Sequence, residues 1–121
     1  QKTQEYCSNN NCKGLATKLL NHLRGGVLGA DILINSLRRI IKDGGLTLED
    51  IRTSEDEIKQ LYVKGLKLEA ASWLKHLHTA TSDSRNDILF YMRGTLKNGG
   101  LTLEDIGTSE DKIAKLMLKV P

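Results

Sequence analysis

Gly44-Gly45-Leu46-Thr47-Leu48-Glu49-Asp50-Ile51 recurs unchanged 55 positions later as Gly99-Gly100-Leu101-Thr102-Leu103-Glu104-Asp105-Ile106. The likeness runs on. Thr53-Ser54-Glu55-Asp56 returns as Thr108-Ser109-Glu110-Asp111, and Ile58 and Leu61 return as Ile113 and Leu116. Fourteen of the eighteen positions from 44 to 61 are identical in the later stretch, which is the mark of an internal duplication. Upstream, pattern is kept rather than identity: Leu33, Ile34, Leu37 and Ile41 answer to Ile88, Leu89, Met92 and Leu96. Further upstream a shift of one residue aligns Leu20, His22 and Leu23 with Leu74, His76 and Leu77. The chain reads as two copies of one unit.

Each copy has the grammar of helices. Leu15, Leu19, Leu20 and Leu23 recur at helical spacing, as do Leu66, Ala70, Leu74 and Leu77. Gly25-Gly26 closes the first of these helices. The next is expected over residues 30–43, where Leu33, Ile34, Leu37, Ile40 and Ile41 make one apolar stripe, and its counterpart over 84–98. The pairs Gly44-Gly45 and Gly99-Gly100 follow these helices where a left-handed C-terminal cap wants glycine, with Gly44 and Gly99 as the expected cap residues. Thr47 with Asp50, and Thr102 with Asp105, have the spacing of a cap opening a single turn. Thr53 and Thr108 repeat that spacing with Asp56 and Asp111 and are expected to cap the third helix of each copy.

The expected fold is all-α, with six helices and two short turns in two tandem three-helix repeats. Residues 1–12 form a polar leader, 13–64 the first repeat and 65–121 the second. A unit of this size without a staple or metal is marginal, so the two are expected to share one core.

Composition agrees with a globular chain. Of 121 residues, 39% are apolar, which excludes the disordered class, while 4% are aromatic, so Leu and Ile must build the interior. Pro121 is the only proline, which argues for helices joined by glycine and against a multi-strand sandwich. The net charge of +3 hides a separation. Residues 49–57 and 104–112 hold nine acids, and the rest of the chain holds 16 bases against six acids. A basic body carries two acidic turns.

Cys7 and Cys12 flank a polar loop, a pattern that suits a local disulfide ahead of two reduced thiols or half a metal site. An N-terminal Gln1 in place of Met fits processing or trimming, and with the cysteines it favours a secreted protein over a cytosolic one. No apolar run reaches the roughly 18 residues that a membrane span requires.

Few residues carry recognisable chemistry. The acidic turns read as helix starts, where carboxylates are favourable, ahead of calcium or partner sites, since they lack the alternating ligands of an EF-hand. The glycine pairs follow helices and so do not read as phosphate loops. His22 and His76 hold matching places, and His76 and His78 point to different faces. No nucleophile elbow appears, and nothing implies a metal or cofactor.

Trp73, Phe90 and Tyr91 occur only in the second copy, opposite Leu19, Asn35 and Ser36. Together with Tyr62 they are the candidate ligand or partner face; ordinary packing is the plainer reading. The stretch Ile58–Leu66, followed by Ala70 and Leu74, resembles a helix-hairpin-helix DNA-binding element over fewer than 20 residues. It has Gly65 alone where that hairpin carries two glycines.

The expectation is a non-enzymatic helical binding protein, either a protein-interaction module or a carrier of an apolar ligand. The alternative is a basic nucleic-acid-binding module, and an enzyme ranks third.

Overall fold

A computed structural model gives the fold and describes residues 11–118. Five α-helices follow one another: α1 Cys12–Arg24, α2 Ala30–Asp43, α3 Glu55–Thr79, α4 Ser82–Gly99 and α5 Glu110–Met117. Short 3-10 turns at Glu49–Ile51 and Leu103–Ile106 precede α3 and α5. No strand occurs among the described residues. The chain divides into two compact units, Gln1–Gly65 and Leu66–Pro121.

In the first unit α1 buries Cys12, Ala16, Leu20 and Leu23 along one face, and α2 buries Ala30, Ile34, Leu37 and Ile40. These residues join Ile51 and the α3 residues Ile58 and Leu61 in one apolar cluster. The fit is tight at two glycines. A Cβ at Gly44 would lie 2.5 Å from the Cβ of Cys12, and one at Gly65 would lie 2.4 Å from that of Ala30. Glycine is required at both places by contact, not by backbone angle.

The second unit has its own cluster of Ala70, Leu77, Met92, Leu96, Leu103 and Ile113. Half-buried Trp73, Leu74, Ile88 and Leu89 pack against it. The buried hydroxyl of Thr95 donates to Glu69 Oε2 at 3.0 Å.

Three expectations need correction. The described residues form five α-helices, not six, because the third and fourth expected helices are one. Between Leu61 and Leu66 the only breaker is Gly65, and a single helical glycine costs only about 1 kcal/mol relative to alanine. That continuity also removes the helix-hairpin-helix resemblance, since residues 55–79 contain no hairpin. Each unit has its own cluster of buried residues among those described. Finally, the left-handed residue of each glycine pair is the second: Gly45 at φ 62° and Gly100 at φ 63°. Gly44 ends α2 with right-handed geometry, and Gly99 is the last residue of α4.

Candidate functional site

The cap residues come first, because they position everything after them. At the first 3-10 turn the Thr47 amide donates to Asp50 Oδ2 at 2.8 Å, and the Asp50 amide donates to Thr47 Oγ1 at 3.1 Å. Thr102 and Asp105 make the same reciprocal pair at 2.7 and 3.3 Å. In both aspartates the bond from the threonine amide holds the carboxyl below its ordinary range.

The helix caps fall one residue later than expected. Ser109 caps α5 by accepting from the Lys112 amide at 3.3 Å, and Ser54 accepts from the Glu57 amide at 3.2 Å where α3 begins. Thr53 and Thr108 are instead buried. Each sits just before the capping serine, and its amide closes the preceding turn onto Leu48 or Leu103.

The acids that follow neutralise part of the basic body. Glu55 takes a two-pronged bond from Arg38 at 2.9 and 3.1 Å. Glu110 takes one from Arg93 at 2.7 and 2.9 Å, at the same separation of 17 residues. Each pair lies on the surface, where solvent screens such a bridge and leaves it weak.

A third pair is more elaborate. Arg24 grips Glu57 at 2.7 and 2.8 Å and also donates to the Arg52 carbonyl at 3.0 Å, while the Thr53 hydroxyl donates to the same carboxylate. The Arg24 bond, helped by that of Thr53, lowers the Glu57 pKa to about 2. Three of the nine acids of the acidic turns thus pair with arginines of the basic body.

Three of the four candidate aromatics come together in the second unit. Tyr91 stacks on Trp73 with ring centres 5.4 Å apart and planes 25° apart, and Phe90 meets Tyr91 edge-on at 5.8 Å. His76 adds a tilted ring 6.0 Å from Trp73, and its Nδ1 lies 2.8 Å from the Ser72 carbonyl oxygen. Trp73 is half-buried, whereas Tyr91 is 53% and Phe90 74% exposed. The remaining aromatic, Tyr62, belongs to the first unit, where it lines a groove of about 420 Å³ with Ile34, Arg38 and Lys59. Asn35, the counterpart of Phe90, also lines that groove, and with Ser36, the counterpart of Tyr91, it lines a second one beside Ile32 and Arg39.

One feature of the second unit was not foreseen. Leu74 and His78 of α3, Gly107 and Thr108 before α5, and Lys112, Lys115 and Leu116 on α5 enclose a groove of about 530 Å³. Sequence reading places Thr108 as a cap, His78 on another face from His76, and Leu74 and Leu116 in apolar stripes, without bringing them together. The signal lay in the recurring block itself, where Gly107, Lys112 and Lys115 are three of its four mismatches.

Cys12 is fully buried. Its expected pairing partner, Cys7, lies outside the described residues. No group of three or more His, Cys, Asp or Glu side chains among the described residues could hold a metal ion. None of the described helices is long and apolar enough to cross a membrane. Compared with family models, with curated proteins and with solved structures, the chain matches none.

Proposed function

We propose that this chain is a non-enzymatic binding protein whose aromatic face in the second unit docks a partner protein. The observation that carries the reading is the exposure of two adjacent large rings, Phe90 and Tyr91, on a half-buried Trp73. Burying them inside would have contributed roughly 1.5–3 kcal/mol per side chain, and folding leaves that unused. Rings held rigid on a helix suit a protein interface, where aromatic anchors dominate binding at low entropic cost.

The two units are read as duplicated copies, one of which has specialised. The matching reciprocal turns and the matching Arg–Glu pairs at one separation support that reading. So does the change from Asn35 and Ser36 to Phe90 and Tyr91. The nucleic-acid alternative has less behind it, because Arg24, Arg38 and Arg93 each engage a glutamate.

The chain is further read as secreted, with Cys7 and Cys12 joined. Intact-mass measurement tests the bond: reduction should add two hydrogen atoms per chain, and an unchanged mass would refute it.

The face is tested by capture from source material with wild type beside a Phe90→Ser, Tyr91→Ser variant of unchanged circular dichroism. A specific protein retained by wild type and lost by the variant is expected. Equal retention of every captured protein would overturn the assignment. A DNA or RNA fragment bound at low salt and released steeply with rising salt would favour the alternative.

A further inference from the structure

The second unit replaces a device that the first unit has. In the first, Arg24, Thr53 and the Glu57 carboxylate form one hydrogen-bonded clamp beside Arg52. In the alignment of the two units His78 stands for Arg24, Gly107 for Arg52, Thr108 for Thr53 and Lys112 for Glu57. The threonine is kept, and it is buried in both units, 9% exposed in one and 7% in the other. The carboxylate is not kept. Lys112 reverses its charge and so cannot close a pair with His78, while Gly107 withdraws a side chain.

The groove of about 530 Å³ occupies this place. Among the described residues that line it, His78, Lys112 and Lys115 are bases and none is an acid, while Leu74 and Leu116 give it an apolar wall. The first unit thus holds a carboxylate of its own where the second presents bases, a buried threonine and an apolar groove. Its volume lies within the range of small-ligand sites, roughly 300–1,000 Å³. A cationic end with an apolar wall complements a ligand carrying one negative group and a hydrocarbon chain.

We propose that this groove binds a small aliphatic carboxylate, its head group taking the place of the Glu57 carboxylate and its chain lying along Leu74 and Leu116. This is the carrier side of the binding reading, and it rests on the correspondence between the units but not on the aromatic face.

Isothermal titration calorimetry of the full chain with decanoate tests it. Saturable binding of one decanoate per chain is expected, with decanol weaker by at least about tenfold and acetate without measurable heat. Lys112→Gln should weaken decanoate by about tenfold or more and leave decanol unchanged. His78→Arg with Lys112→Glu, which rebuilds the clamp, should abolish decanoate binding. No saturable decanoate heat, equal affinity for decanol, or undiminished binding to Lys112→Gln would each overturn the proposal. Phe90→Ser with Tyr91→Ser should bind decanoate like wild type, so failure of the groove and failure of the aromatic face are read separately.

Discussion

Gly65 and Gly94 are both helical glycines, yet alanine should have opposite effects at the two. At Gly65 a Cβ would be forced to 2.4 Å from Ala30 and 3.3 Å from the Val27 carbonyl oxygen, neither of which is a flexible side-chain tip. Gly65→Ala should destabilise the protein by about 1–3 kcal/mol through overpacking, despite its better helix propensity. At Gly94 nothing lies within 4 Å, so Gly94→Ala should stabilise by about 0.5–1 kcal/mol. Urea unfolding midpoints of the two variants should move in opposite directions; a shared direction would contradict this packing. At the caps, Ser109→Ala should cost about 1 kcal/mol by leaving the Lys112 amide unpaired. Phe90→Ala should change stability by no more than about 0.5 kcal/mol, because its ring is already in water.

Between a cap and a core lies the element, where the sequence was most and least legible. The stripe of α2 was clear from Leu33 to Ile41, and the helix occupies Ala30–Asp43. The extent of α3 was not. Its sequence changes stripe midway, with Ile58 and Leu61 in one cluster and Ala70 and Leu77 in the other, so periodicity suggested two helices. Backbone hydrogen bonding does not register such a change of face. The caps expected at Thr53 and Thr108 were misplaced for a similar reason, since Thr and Ser stand side by side and both can cap. Burial decided between them: Thr53 and Thr108 go inside, leaving Ser54 and Ser109 at the helix starts.

The α1–α3 clamp also makes stability depend on pH. Its carboxyl, Glu57, has a folded pKa of about 2 against an ordinary 4.5, so it binds its proton more weakly when folded. Its contribution is therefore complete above pH 4.5 and is lost as the pH falls toward 2. Glu57→Gln should flatten the acid limb of stability against pH across that window. An acid limb identical to wild type in urea titrations from pH 5 downward would remove the clamp from the account.

At the scale of the whole molecule, each unit carries its own buried centre. Leu37 and Met92 are both 0% exposed, one in each cluster. Leu37→Ala and Met92→Ala should each cost about 2–5 kcal/mol, a large share of the 5–15 kcal/mol that stabilises a typical domain. Unfolding midpoints that barely move would show that neither side chain is packed as described. The recurring sequence block, the helical class, the reciprocal turns and the charge separation could all be read from the chain alone, because each depends on residues close together in sequence or on simple recurrence. Tertiary structure alone decided that Arg24, Arg38 and Arg93 meet Glu57, Glu55 and Glu110, that Trp73, Tyr91 and Phe90 form one exposed face, and that Lys112 faces a groove. Those outcomes depend on which helix faces pack together, and an α-helix can present any of its sides without changing its local sequence rules.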